Sequence, residues 1–479
     1  APDTPAPLVN DAANPLRQGY PRPITSYTWR FDNPWNAIDG KTWFNEVPEN
    51  TRWTNYSSPN GQDWYGVDFG VPTPVSDIRW YGYDDGGGVR PAADYRLQYW
   101  TGSDWADIPG QQREQDRPVG NGPNRITFPT VTTERVRLLF TNPQGAFVGV
   151  SEFQSWAPSS RDAAVTVGPR NSDGAVPVDG PTTVAVTVTN TSGRRLLDPA
   201  VSLAVPSGWT AAPVAGSGRD EAIAPGGSLI RRFTLTPPGD ASGVDSQLVA
   251  TATFRTKDGT ALSTHTRQLL TVAFDPDAYP RQQVLDDFGS DSTAQYTARR
   301  PFPGEVVPGL SVHDGALQAS AAHRFFTLLD QGTSPASADS VMIVDPSSFI
   351  GTATNEDSLF VGLVRDDTTY LGAWYNNTHH SSGIDVRVNG QLNPGGTGAC
   401  CASVTLVPGD RLAFQTHGTS VTSWAEHDGH WQRLASVDVG SVVDLSNPSV
   451  RASYHVMFGV RGDAGTVAVD RFEARSTDG

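Results

Sequence analysis

Apolar and polar residues alternate along most of this chain. "IRWYGY" (78–83), "YRLQYW" (95–100), "TTVAVTVTN" (182–190), "SLIRRFTLT" (228–236) and "SQLVATATF" (246–254) repeat apolar side chains at or near every second position. A period of two belongs to a strand with one buried face. No stretch carries apolar residues at i, i+3, i+4 and i+7 over a dozen positions, so helices are not expected. With 48 Gly and 37 Pro, turn formers are frequent enough to separate many short strands. The pattern predicts an all-β chain built of sandwiches.

Two connections stand out. "SVTSWAEH" (420–427) and "HWQRLASV" (430–437) flank Asp428-Gly429, which predicts a tight hairpin. "IRWYGY" and "YRLQYW" are joined instead by "DDGGGVRPAAD" (84–94). A hairpin needs only about two turn residues, so this longer, polar, Gly-rich loop is expected to hold something.

A length of 479 residues suits three domains, and tryptophan usage divides it. Nine of the 13 Trp fall within 1–157, Trp209 is alone in the middle, and Trp374, Trp424 and Trp431 close the chain. Boundaries are expected near "WAPSSRDAAV" (156–165) and "FDPDAYPRQQ" (274–283), giving domains 1–157, 158–275 and 276–479. Strict alternation with turns about every ten residues makes the middle one an immunoglobulin-like sandwich acting as a spacer. Long strands in hairpin order make the last a jelly roll whose first and last strands pair.

The net charge of -16 disfavours nucleic acid and anionic lipid as partners. No segment approaches the roughly twenty apolar residues that span a bilayer. Only Lys41 and Lys257 are lysines among 35 basic residues, a bias that a high-GC genome explains. The Pro-rich start "APDTPAPLVNDAANPL" suits the stretch after a cleaved signal peptide or a linker, and a secreted, extracellular protein is expected. Cys400 and Cys401 are adjacent in "GTGACCAS". They allow a vicinal disulfide or two reduced, buried thiols, and neither reading is catalytic.

The pieces "NAIDGK", "TRWTN", "DWYGVDFG", "YRLQYWTGSDWADI", "ERVRLLFTN" and "GVSEFQSW" occur in order over residues 15–157. Together they resemble the discoidin-like carbohydrate-binding modules, related to coagulation-factor C domains. The middle segment is similar to Ig-like domains beside such modules in secreted bacterial glycosidases. The last looks like a laminin-G or concanavalin-like jelly roll.

The discoidin-like resemblance implies a structural calcium, which takes six to eight oxygens. The matching positions are Asp39 and Glu152, the carbonyls of Asn36 and Lys41, and Thr51, with "TWFNEVPEN" (42–50) as an insertion between Asp39 and Thr51. The alternative is an Asp-Gly turn and a surface Glu. The resemblance also implies sugar binding on loops at one end of the sandwich. Asp84, Asp85 and Arg90 are the hydrogen-bonding candidates there, with Trp29, Arg30, Trp35 and Phe147 stacking or flanking. Each has a plain alternative: a core Trp, or an Asp that only caps a turn. In the last domain Trp374 and Asn376, in "GAWYNNTHH", are candidate sugar contacts, although alternation sends Trp374 and Tyr375 to opposite faces. Asp286 or Asp287 with Asp470 offers a second cation site or ordinary strand ends.

Glycoside hydrolysis usually needs two carboxylates about 5–9 Å apart across the bond, and no motif places such a pair. Glu-x-Asp-x-x-Glu, His-Glu-x-x-His and Gly-x-Ser-x-Gly are absent. "HDGH" (427–430) coincides with the hairpin turn. The resulting expectation is a non-catalytic, substrate-targeting region of a secreted glycoside hydrolase, partnered by a polysaccharide and by a catalytic module of the same parent protein. A catalytic C-terminal jelly roll and a surface adhesion protein are the alternatives.

Overall fold

The alternating segments form strands that pair into several largely antiparallel sheets. The computed structural model describes residues 7–42, 51–168, 175–178, 180–215, 222–300, 309–319, 323–349 and 356–477. Helix is confined, among these residues, to single 3-10 turns and the four-residue α-helix Pro448–Arg451. The chain divides into two compact units, Ala1–Phe274 and Asp275–Gly479.

Two long strands, Asp63–Gly82 and Pro123–Thr141, dominate the first unit. They pair from Asp63↔Phe140 to Tyr81↔Pro123, with register breaks between Asp68 and Thr73 and between Val75 and Asp77. The nine-stranded sheet runs Leu8–Asn10, Gly149–Pro158, Asp63–Gly82, Pro123–Thr141, Asp94–Trp100, Trp105–Asp107, with three short strands at its margins. Pro123–Thr141 therefore lies between the two strands that flank the Gly-rich loop, and that loop is a crossover rather than a hairpin. Trp53, Tyr65, Phe69, Trp80, Leu97, Phe140 and Phe153 fill the core beneath. Two of the domain's indoles, Trp53 and Trp80, are fully buried here, whereas Trp29, Trp64, Trp100, Trp105 and Trp156 keep part of their surface in water.

The rest of this unit is a sandwich of a four-stranded and a five-stranded sheet over Val165, Val186, Phe233, Leu235, Leu248 and Phe254. Its strands pair antiparallel except Ala175–Val176, which runs parallel to Thr271–Val272.

In the second unit, two eight-stranded sheets enclose Val344, Leu359, Val361, Leu371, Tyr375, Phe414, Phe458 and Phe472. Arg281–Asp286 pairs with Val467–Ser476, so the first and last strands meet as the pattern predicts. Ser420–His427 and His430–Asp438 form the expected hairpin, with Asp428 and Gly429 both at positive φ (50° and 78°). Cys400 and Cys401 are disulfide-bonded and exposed on Ala399–Ser403, which replaces the alternative of buried thiols.

Candidate functional site

Four loops of the first unit meet at one place. Trp29 N–H donates to the Thr54 carbonyl (3.1 Å), Asn55 N–H to Val148 (3.1 Å), Tyr83 N–H to Gly149 (2.9 Å) and Phe147 N–H to Gly88 (2.9 Å). Side chains lock the same junction. Fully buried Asp63 accepts from Ser26 Oγ (2.7 Å) and from Asn55 Nδ2 (3.1 Å), and Asn55 Nδ2 also donates to Asn142 Oδ1 (2.8 Å). Buried polar groups so completely paired hold loops as firmly as strands.

A continuous run of aromatic rings lies on this junction. Phe31 meets Trp29 at 5.0 Å between centroids, Trp29 meets Tyr56 at 5.1 Å, and Tyr56 meets Phe147 at 5.2 Å. Phe31 is 50 % exposed and the other three are half-buried. The Arg30 guanidinium lies 4.5 Å above the Phe31 ring. Beneath the run sits a buried ion pair: Arg52 Nε reaches Asp32 Oδ1 at 3.4 Å, and Thr54 Oγ1 donates to Asp32 Oδ2. The Arg52 guanidinium faces Tyr83 at 4.5 Å and Trp29 at 5.7 Å. Burial pushes the Asp32 carboxyl up to about 6, against the opposing pull of Thr54 and Arg52. Such a ridge offers flat apolar faces with a cation at its edge, the surface on which the apolar side of a sugar ring stacks.

The Gly-rich loop supports this ridge. Asp84 Oδ1 accepts from Gly86 N–H (2.9 Å), and Asp85 Oδ1 accepts from Gly87 (2.7 Å) and Val89 (3.0 Å). Arg90 donates back to the carbonyls of Gly87 (3.1 Å) and Gly86 (2.6 Å). All three candidates thus shape the loop's own backbone, which is the turn-capping role for the aspartates. Glycine is required at 88, where a Cβ would come within 2.6 Å of the Tyr56 ring. Asp85 and Arg90 are exposed beside Phe147.

Of the sequence candidates, the ridge gathers Trp29, Arg30 and Phe147, with Asp85 and Arg90 at its margin. Trp35 is different: it lies in the 3-10 turn Pro34–Ile38, where it packs half-buried against the core. Phe31, Tyr56 and Arg52 were not foreseen. The signal available for them was adjacency, Phe31 to Trp29 and both Arg52 and Tyr56 to the buried "WTN".

The cation candidates cluster at a second place in the same unit. Glu152 is fully buried on Gly149–Pro158; its Oε1 accepts from Gly40 N–H (3.1 Å), and its Oε2 is buried with no hydrogen-bond partner. Thr51 Oγ1 is buried and unpartnered too. Asp39 Oδ1 accepts from Lys41 N–H (3.0 Å), and burial raises its carboxyl. Burial, then the Asp39 charge, pushes Glu152 up to about 9. Asn36 and Lys41 lie on the turn and loop either side of Asp39, and residues 43–50 of the insertion before Thr51 fall outside the described residues. Two carboxyls raised by burial, with Glu152 Oε2 and Thr51 Oγ1 lacking partners, fit a hard cation. No group of three or more His, Cys, Asp or Glu forms among the described residues, so carbonyls and the Thr51 hydroxyl would complete the oxygen set.

The second unit engages its candidates in contacts of its own. Trp374 packs half-buried against Leu328, Phe360, Tyr370 and Met457 on one face of its sheet, while Tyr375 enters the main core on the other. Asn376 is buried; its Nδ2 donates to Glu356 Oε2 (2.7 Å), and its Oδ1 accepts from His379 N–H (3.1 Å). Asp286 ends its strand and accepts from Phe288, Ser292 and Tyr296, whereas Asp470 is exposed within Val467–Ser476. His427 is engaged by Asp410 at 3.0 Å.

Comparison with known proteins agrees with the order of these elements. Residues 23–153 match the F5/8 type C domain, and residues 177–255 match the NPCBM-associated, NEW3 domain of alpha-galactosidase. Among solved structures the chain is similar to a chain of the Streptococcus pneumoniae beta-galactosidase BgaA (20% identity, 31% of this chain and 98% of that one, TM-score 0.29). It is also similar to the family 32 CBM of C. perfringens NanJ, solved with galactose (17%, 31% and 99%, TM-score 0.25). A third is chitosan-binding module 2 of a Paenibacillus sp. IK-5 chitosanase/glucanase, solved with chitotriose (21%, 30% and 98%, TM-score 0.23). The N-terminal part of this chain therefore carries an F5/8 type C, discoidin-like domain, followed by a NEW3 domain.

Proposed function

We propose that the chain is a carbohydrate-binding, substrate-targeting region of a secreted glycoside hydrolase. The observation that carries the reading is the ridge Phe31–Trp29–Tyr56–Phe147 on the loop junction of the F5/8 type C domain. Sugar rings stack on the ridge, while Arg30, Asp85 and Arg90 at its edges exchange hydrogen bonds with hydroxyls. The NEW3 match, a domain described from an alpha-galactosidase, supports a parent glycosidase. Tethering a catalytic module to its polymer raises its effective concentration without any new chemistry. A calcium ion at Asp39, Glu152, Thr51 and the carbonyls of Asn36 and Lys41 would tie the first loop to the last strand of the domain. Trp374 and Asn376 are proposed as a separate, weaker contact in the second unit.

The test is an array of plant, algal and microbial polysaccharides probed with the intact chain, with and without a chelator, while released sugar is assayed. Binding without release supports the reading. Release abolished by single carboxylate substitutions in the second unit would replace it with an enzyme.

A further inference from the structure

A second aromatic surface stands on the outer face of the first unit's nine-stranded sheet. Alternation sends Tyr65, Leu138 and Leu97 into the core and turns their neighbours Trp64, Arg137 and Gln98 outward. Arg137 lies between two indoles, its guanidinium 4.4 Å from the Trp105 ring centroid and 5.3 Å from that of Trp64. Trp105 continues the array, 6.2 Å from Trp64 and 5.5 Å from Trp100. Arg135 stands 5.6 Å over Trp100. All three tryptophans keep part of their surface in water.

The charges on this face are unequally matched. Arg135 has Asp68 at 3.0 Å, and Arg96 has Asp107 at 2.8 Å. Arg137 has no carboxylate at ion-pair distance among the described residues. Its Nε donates instead to Gln98 Oε1 (2.8 Å), and Gln98 Nε2 is already turned to Asp107 (2.9 Å). Burial, then repulsion from Arg96, brings the Arg137 guanidinium down to about 10, against the more distant pull of Asp104. A cation half removed from water with no carboxylate at ion-pair distance is costly, and a bound anion would offset that cost. The protein carries -16 overall, so an anion is not drawn here by the general field. The attraction is local to Arg137. The loop ridge differs, because Asp32 already neutralises its buried cation, Arg52.

We propose that this sheet face is a second glycan-binding surface that takes an acidic polysaccharide, whose carboxylate or sulfate pairs with Arg137 while neighbouring sugar rings lie on Trp100 and Trp105. An extended polymer suits an open sheet face, and the charge requirement makes binding fall with salt. The inference does not rest on the loop ridge being a sugar site.

The test is affinity electrophoresis of the intact chain through native gels containing polygalacturonate, dextran sulfate or neutral pullulan. Retardation by at least one acidic polymer is expected, beyond any caused by pullulan; which polymer retards it tells carboxylate from sulfate. Arg137→Gln and Trp105→Ala should each weaken it about tenfold or more, the loss of one charge-assisted or stacking contact. Should Arg137→Gln lose its thermal transition, Arg137→Lys and Trp105→Ala decide: weaker retardation in both supports the proposal. A wild type unretarded by either acidic polymer, or folded variants retarded as strongly as wild type, would overturn it and leave Arg137 as packing between indoles.

Discussion

Phe31 contributes half its surface to solvent and only ring contacts to the fold. Phe31→Ala is therefore expected to lower glycan affinity roughly tenfold, as losing one stacking face does, with the thermal midpoint unchanged; isothermal titration and a melting curve check both. Asp32 beneath it behaves differently, because its carboxyl stands at about 6 rather than 3.8. A carboxyl raised in the folded state binds its proton more tightly there than when unfolded. Its contribution to stability is complete below about pH 3.8 and is lost as pH rises through about 6. That difference is on the order of 3 kcal/mol. Asp32→Asn has no such titration, so whatever constant offset the amide introduces, the stability difference should move in favour of the variant between pH 4 and 7. Denaturant melts at several pH values measure it, and a difference constant with pH would contradict the burial of Asp32.

At the scale of strands and loops, what sequence reveals is the period and what it hides is the partner. Alternation identifies "IRWYGY" and "YRLQYW" as strands, and Asp428-Gly429 identifies a turn, because both signals are local. That Pro123–Thr141 enters between the first two strands depends on pairings such as Tyr81↔Pro123 and Tyr95↔Phe140, far apart in sequence, which no local pattern encodes. The site divides the same way. That Asp39 and Glu152 are neighbours was suggested by their resemblance to family pieces, and the turn chemistry of Asp84 and Asp85 was legible from the Gly run itself. Tyr56 and Arg52 were not, since a ring or guanidinium in a loop reads alike whether it faces water or a neighbour. Trp35 misled for the converse reason: one residue past a proline in a 3-10 turn, it points at the core. The contact between the Asp39–Gly40 turn and the strand bearing Glu152 yields its own prediction. Calcium should raise the midpoint of the transition that includes this domain, and chelation should lower it. Glu152→Gln should abolish the response while leaving a folded domain, since a neutral group suits the buried site. Calorimetry with calcium and with chelator checks it.

Across the first unit as a whole, the NEW3 part does more than space the modules, because it shares a buried polar junction with the F5/8 type C part. Asp11, 7 % exposed, accepts from His265 Nε2 at 2.9 Å and faces Arg267 Nη2 at 3.4 Å. The Arg267 guanidinium also lies 5.8 Å over Phe69, and burial lowers its affinity for its proton despite the Asp11 charge. Gln247 Nε2 donates to the Phe69 carbonyl (3.4 Å), and Ser160 N–H to Ser263 (2.7 Å). A buried guanidinium tolerates its site only while its carboxylate stays, and removing that partner costs on the order of 3 kcal/mol. Asp11→Ala should thus loosen the junction from both sides. In hydrogen exchange on the full chain, protection should fall together over residues 8–12 and 263–269. The strands of 340–477 should keep theirs, because they belong to the other compact unit. Were 8–12 alone to open, the two parts would be independent neighbours. If both open together, the loop ridge and the sheet face are carried on one rigid arm, and a polymer engaging either is held at a fixed orientation to the NEW3 part.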